Sequence, residues 1–547
     1  MNEIEELLQE PLFQNFYRIC RIPHGSGNET ALAEDLLCWA KEKGFSAEKD
    51  PVGNVLIRKP ASPGCEDAPP VMLQAHLDMV CVKRPGSSHD FLEDPIPWKI
   101  EGDWLTTGGE TSLGADDGIG VALAMTMLEA EEAAAAETNP ADSGGFPELE
   151  VLLTVGEEED FAGASGFEMS RSRAFRLINL DHVEEHEIIC GSCGGMRADF
   201  VLPVPEQSVP ENSVLLKIEL SGLAGGHSGE DIHRGRGNAI RLLARLLDDA
   251  NASGRSYGIC ALEGGSSRLA IPAGASAVLV MAPEEEALFR GTADVFEKTA
   301  RRELGSEGKN LKITVQEAGT DANLKIPVQA SETDAVKPDA EETESCSRPL
   351  TFAEPGPVLD AILLIPDGIS EMNADLEGLV DSSDNVGEAR YNPGSGKLVL
   401  VTEIRAARES QRAAIFRRMQ RLADRLGAEV FCSEAYPGWE YQTESRLRDT
   451  IIRVHKECCG FEPVLKTVHA GLEVGFFLEK RPGLEAVSIG PDLKDLHSVS
   501  EQLSISSALH FRKYLQRLLE QLGKDTGGGS DRNTDSTAGN TDTGISK

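Results

Sequence analysis

Donor side chains recur where short apolar runs of this sequence end. His76 and Asp78 stand two apart in MLQAHLDMV, a spacing that sends both side chains from one face of an extended strand. Asp116 lies in SLGADDGIGVALAM, where a glycine-rich turn leads into a helical pattern. Glu157 and Glu158 follow LEVLLTVG, Asp181 follows FRLINL, and His497 follows EAVSIGPDLKDL. In an open parallel sheet the carboxyl ends of the strands share one edge, and ligands bind there. Two imidazoles and several carboxylates gathered at such an edge suit a pair of borderline divalent metals such as zinc, with manganese or cobalt as alternatives. A carboxylate can bridge two ions about 3.5–4 Å apart, and the pair can clamp an attacking and a leaving oxygen.

Each element of this set has a plainer explanation when taken alone. A single histidine at a strand end is more often a surface or satisfied group. The aspartates of GADDGIG suit any helix N-terminus, and the run EEED suits a solvated face. The coincidence of so many donors at strand ends brings the metal site level with these plainer explanations.

The positioning elements follow from periodicity. PVMLQAHLDMV, LEVLLTVG, FRLINLD and LEAVSIG read as strands; GIGVALAMTMLEAEE and SISSALHFRKYLQRLLEQL read as helices, the last opened by SVSE as a capping box. Strands alternating with helices predict an α/β fold with a mostly parallel sheet. The middle differs: SVLLKIELSG, NAIRLLARLLDDA, ASAVLVMA, FEKTARREL, LKITVQEA, KLVLVTEIRAA, RAAIFRRMQRLADRLG and AEVFCSEAYPG alternate as strand and helix in a second unit. This predicts an α+β domain over 196–434 inserted between the catalytic parts 1–195 and 435–522. An acidic insert at about 330–350, a helix end and loop at 131–145, and a disordered tail over 523–547 complete the division.

Composition sets limits. The 547 residues carry 91 acidic against 53 basic side chains, a net charge of −38, which argues against nucleic acid or an anionic membrane as partner. No apolar run approaches the roughly 18 residues of a membrane span. The acidic, amphipathic start is unlike a secretory leader, and the 11 cysteines form no disulfide framework. These features predict a cytoplasmic protein.

The ordered set QAHLDMV, GADDGIG, LLTVGEEEDFAGASGF, LINLD, GGHSGEDIHRGRGNA, HAGLEVGFF and DLHSVSEQL closely resembles the aminoacyl-histidine dipeptidases (peptidase D), within the di-metal peptidase clan of carnosinases, peptidase T and aminoacylases. The resemblance spans roughly 1–522, the inserts excepted. It implies a mostly parallel-sheet di-metal catalytic domain with an inserted α+β lid domain. It further implies two divalent ions, Zn2+ foremost with Mn2+ or Co2+ as alternatives, on His76, Asp116, Glu158, Asp181 and His497, with Asp116 bridging. Asp78 would orient His76 through its second ring nitrogen, and Glu157 would be the general base that moves a proton from the attacking water to the leaving amine.

For substrate binding, the resemblance implies His227 at the oxyanion, Asn238 on the same lid surface, Arg405 on a substrate carboxylate, and His469 and Glu473 in a loop beside the substrate. His233 is read as structural, and CGSC (190–193) as a hinge into the lid rather than a redox or metal motif. The implied reaction is hydrolysis of Xaa-His dipeptides of the carnosine kind by a homodimer joined through its lids. An N-acyl-amino-acid deacylase or a broader aminopeptidase of the same clan is the alternative, and a non-catalytic metal-binding scaffold a further one. Three departures stand out: Asp117 where relatives often have asparagine, Ala406 where they often have serine, and Glu159–Asp160 where they have a small residue and glycine.

Overall fold

The apolar runs that lead to the donor residues are strands, and they lie side by side. In the computed structural model, which describes residues 3–130, 145–318, 350–374 and 378–525, Leu149–Thr154, Val71–His76, Arg176–Asn179 and Glu485–Ser488 pair in that order, each parallel to its neighbour. Every residue of the first three is buried, as continuous apolar strands covered on both faces must be. Ser46–Lys49 and Val55–Lys59 extend the sheet on one side; Glu187–Ser192 and Val464–Val468 extend it on the other, giving eight strands. The helix Ala115–Glu129 is buried all round from Asp117 to Leu128. Its glycines admit close neighbours: a Cβ on Gly118 would lie 3.0 Å from the Phe16 ring.

After Cys193 the chain leaves this sheet. Gly194–Pro203 enters a second, eleven-stranded sheet, antiparallel throughout, covered by the helices Ala239–Ala252, Pro283–Leu304 and Glu409–Leu426. The return strand, Glu429–Tyr436, pairs with the outgoing one, and Ser192 bridges to Trp439. The two crossings therefore run side by side. A Cβ on Gly194 would fall 2.6 Å from both Gly438 N and Tyr436 O, so a side chain there would part them. Cys190 and Cys193 are buried free thiols beside this crossing.

Several elements differ from the sequence expectation. The helix expected over FEKTARREL runs Pro283–Leu304, with proline at its start and three glutamates in its first turn, both favourable there. The strands Tyr257–Gly264 and Val380–Tyr391 escape a reading by hydrophobic alternation. SVSE is not the cap of the final helix. That helix is Ile505–Gly523, capped by Ser504, whose hydroxyl accepts from Ser507 N–H at 3.2 Å. The expected loop at 131–145, the acidic insert at 330–350 and the tail at 523–547 lie outside the described residues, except for residues 145 and 350 and the first three of the tail. Of these three, Asp525 pairs with Arg176.

Candidate metal centre

His76 closes its strand, Asp181 follows the next strand, and Glu157 and Glu158 follow the strand on the other side. Parallel pairing thus brings these residues to one edge. His76 Nε2 lies 3.2 Å from Asp116 Oδ1 and 3.7 Å from Asp181 Oδ1. On the far side of Asp116, His497 Nε2 lies 3.3 Å from Oδ2 and 2.9 Å from Glu158 Oε1. The two oxygens of one carboxylate therefore face two different histidine–carboxylate pairs. Donor atoms of Asp116, Glu158 and His497 all lie within 4.8 Å of one another, as do those of His76, Glu157 and Glu158 and those of His76, Asp117 and Asp181.

Backbone contacts hold the cluster. Asp78 lies just beyond the strand. Its main-chain carbonyl is 3.0 Å from His76 Nδ1, while its carboxylate is 3.5 Å away. That carboxylate mainly accepts elsewhere, from Glu157 N–H at 3.0 Å, Glu158 N–H at 3.1 Å and the Ser26 hydroxyl at 2.9 Å. It thereby joins the ends of neighbouring strands. Asp117 is buried and accepts from His76 N–H and Gly120 N–H, both at 3.2 Å. This caps the helix proper, because Asp116 and Asp117 have non-helical backbone angles. A side-chain amide could also accept these two bonds.

The most telling residue missed by sequence reasoning is Glu501. Its Oε2 accepts from Leu113 N–H at 2.7 Å and Gly114 N–H at 3.1 Å; its Oε1 accepts from Ala115 N–H at 2.8 Å and Asp116 N–H at 3.3 Å. One carboxylate from the His497 segment thus clasps the turn that presents Asp116. Charge-assisted bonds to backbone amides are among the stronger hydrogen bonds.

The run EEED divides in the middle: Glu157 and Glu158 are half-buried, Glu159 and Asp160 exposed. Asp160 Oδ1 accepts from Ala162 N–H at 2.9 Å. The turn's left-handed residues are Gly156 and Phe161, not Asp160, so aspartate there meets no backbone penalty.

Electrostatics tests the fit of metal ions. Burial, reinforced by the charge of Asp116, pushes Asp181 up to about 7. Burial also lifts Glu157 well above the carboxylate range, with Asp181, Glu473 and Glu158 adding to it against the pull of His76. The hydrogen bonds to Asp116 and Glu158 raise His497 to about 10. Burial opposes, but does not outweigh, the His497 and His76 contacts that hold Asp116 far below its usual value. Crowded carboxyls and imidazoles made basic by them form a cluster short of positive charge, which divalent cations would supply. Nitrogen and oxygen donors in these numbers fit such ions.

The lid contributes a second group. Arg405 is buried, its Nη1 2.9 Å from the Tyr436 hydroxyl and its Nη2 3.4 Å from His227 Nε2. His227 Nδ1 accepts from Glu230 N–H at 3.1 Å. Burial first, then Arg405, lowers the imidazole's basicity. His469, buried, meets the Ser383 hydroxyl through Nε2 at 2.7 Å. Burial and then Arg405 bring it down to about 3. Glu473 accepts from Gln74 Nε2 at 2.6 Å and the Thr154 hydroxyl at 2.7 Å, both from strands that end at the cluster. Its buried Oε1 has no hydrogen-bond partner among the described residues. Asn238 shares no hydrogen bond with these groups among the described residues. Its carbonyl caps the helix Ala239–Ala252, and its amide donates to Val386 O at 2.9 Å and Asp367 Oδ1 at 3.3 Å. His233 is exposed in a short helical turn, and Ala406 pairs with Gly194 at the crossing.

Comparison with known proteins agrees with this architecture. A profile described as the peptidase dimerisation domain matches residues 218–308. The chain is 35% identical over 522 residues to the cytosol non-specific dipeptidase of Escherichia coli (strain K12), covering 95% of this chain and 99% of that protein. The crystal structure of aminoacylhistidine dipeptidase from Vibrio alginolyticus superposes with a TM-score of 0.80 at 33% identity, covering 95% of this chain and 98% of that one. Aminopeptidase PepT from Bacillus cereus ATCC 10987 shares the fold at a TM-score of 0.51 and 14% identity, over 94% and 99% of the two chains. With a relative this similar along nearly its full length, the chain belongs to the aminoacyl-histidine dipeptidase (peptidase D) family, metal-dependent hydrolases built from a catalytic domain and a dimerisation lid.

Proposed function

We propose that this dipeptidase cleaves Xaa-His dipeptides with two divalent ions, one on His76, Asp181 and Asp116, the other on Asp116, Glu158 and His497. The observation that carries this reading is the division of the Asp116 oxygens between the two histidine–carboxylate pairs. Mixed nitrogen and oxygen donors favour Zn2+, with Mn2+ or Co2+ able to substitute. When bound, such ions polarise a scissile carbonyl and acidify the attacking water.

The protein's own groups do the rest. Glu157, half-buried beside Glu158 and made more basic than an ordinary carboxylate, takes the proton of the water and gives it to the leaving amine. Asp78 keeps His76 and the Glu157–Glu158 backbone in register. In the lid, the Glu230 N–H occupies His227 Nδ1, so Nε2 carries the proton. It then faces the Arg405 guanidinium donor to donor, 3.4 Å apart. Two converging donors call for a negative oxygen, which a tetrahedral intermediate or a substrate carboxylate supplies. His469 and Glu473 flank the substrate, and Asn238 supports the lid surface from its helix cap. The domains meet near residues 195 and 435, and the match to the dimerisation domain supports a homodimer through the lids. The name of the Escherichia coli relative supports a cytoplasmic location.

Glu157→Ala tests the mechanism. Turnover of carnosine and Gly-His should fall by about 10²–10⁴ while metal content, measured by elemental analysis, stays unchanged; near-normal turnover refutes the assignment. A second reading, broad dipeptide specificity, draws on the same relative's description as non-specific. Comparing kcat/KM for Xaa-His with that for other dipeptides, tripeptides and N-acetyl amino acids separates the two and also tests deacylation.

A further inference from the structure

Away from the strand-end cluster, a second set of metal-type donors joins the catalytic domain's last strands to its helices. His455 and Cys459 lie four apart on the helix Arg446–Cys459, a spacing that puts both side chains on one helix face. His186 precedes the strand Glu187–Ser192, and its main-chain carbonyl accepts from Val464 N–H at 2.9 Å, fixing the loop against the strand that follows the helix. One donor atom from each of His186, His455 and Cys459 lies within 4.8 Å of the other two.

The orientation is that of ligands. His455 is buried, and its Nδ1 lies 3.1 Å from the Phe461 carbonyl. An Nδ1–H donated to that carbonyl leaves Nε2 with its lone pair directed at His186 Nδ1, 3.2 Å away. Metal-bound histidines commonly have their second nitrogen held in this way. Phe461 packs edge-on against both imidazoles, at 4.9 Å from His186 and 5.3 Å from His455, and Tyr514 flanks His455 at 5.6 Å. The buried His455 ring, between Phe461 and Tyr514, thus has little freedom to turn. Cys459 is a free, half-buried thiol, and His186 is exposed, so the site opens to solvent. The simpler reading is a hydrogen bond between the two imidazoles, with Cys459 a bystander.

We propose that His186, His455 and Cys459 form a third divalent-metal site, separate from the pair at the strand ends and suited to Zn2+ by its two nitrogen donors and one sulfur. Three protein ligands leave the fourth tetrahedral position to solvent. Burial favours the neutral form of His455, which is the ligating form. The thiol, raised to about 11 by burial and then by Glu185, gives up its proton on binding. A bound ion would fasten the end of the Arg446–Cys459 helix to the loop that enters Glu187–Ser192, the strand leading to the lid crossing.

Cobalt distinguishes the site by its chemistry. The strand-end cluster contains histidine and carboxylate but no cysteine, so thiolate-to-Co(II) charge-transfer absorption in the near ultraviolet would report only on a sulfur ligand. The full-length protein, titrated with Co(II) under reducing conditions, should develop this absorption. Cys459→Ala and His186→Ala should each abolish it and lower bound cobalt by one equivalent per chain, with dipeptide turnover within about twofold of wild type. Cys458→Ala should retain it. No thiolate band in the wild-type protein, or a band that survives in either Cys459→Ala or His186→Ala, overturns the proposal. Circular dichroism establishes that the variants are folded.

Discussion

At the scale of residues, the centre depends as much on the groups that hold the donors as on the donors themselves. Glu501 bonds four consecutive amides, Leu113 to Asp116, and so sets where the Asp116 carboxylate points. Glu501→Gln turns one acceptor oxygen into an NH2 that faces backbone N–H groups. It should cost about 1–3 kcal/mol of stability and about 10–100-fold in metal affinity or turnover. Equilibrium dialysis and thermal unfolding check both, and unchanged metal affinity would make Glu501 a purely structural clamp. Most of the candidate donors stand out in the sequence because they follow an apolar run, and strand ends converge in a parallel sheet; Asp116 stands out instead by the glycine-rich turn that opens its helix. Glu501 does not stand out. Its partners lie more than 380 residues away in the chain, and in sequence it reads as part of a helix cap.

At the scale of elements, the four central strands and the helices Ala115–Glu129 and Ile505–Gly523 could be read from continuous apolar runs and helical spacing. Val380–Tyr391 could not, because nearly all of it is buried although its residues, VDSSDNVGEARY, are largely polar. Its Ser383 holds His469, and its Val386 carbonyl and neighbouring Asp367 hold Asn238. Binding surfaces are where local pattern and fold most often disagree. Asp384, on the same strand, is fully buried. Burial first and then Asp367 push its carboxyl well above the usual range. An acid with a raised folded-state pKa stabilises the fold below its unfolded pKa of about 3.9 and loses that contribution as pH rises towards the folded value. Asp384→Asn should therefore raise the melting temperature at pH 8 by more than at pH 5. An equal shift at both values would mean that the carboxyl is already ionised in the folded protein.

At the scale of the whole molecule, two sheets with separate cores are joined by adjacent crossings at Gly194 and Gly438, and the candidate site residues are divided between them, His76 on the first and Arg405 on the second. Removing metal with a chelator should abolish dipeptide turnover and lower the melting temperature, because ions that bind only the folded state add about 4 kcal/mol per site at a thousandfold excess over Kd. Readdition of Zn2+, Mn2+ or Co2+ should restore both; calorimetry with and without chelator gives the measure. The order of strands carries a further consequence, for synthesis. Glu485–Ser488 fits between Arg176–Asn179 and Glu187–Ser192, yet it leaves the ribosome only after the entire second sheet has been made. Until then the two earlier strands have open edges, the kind that pair with wrong partners, and the growing chain lacks His497. The sheet that carries the strand-end cluster is therefore completed only after the whole second sheet has been made.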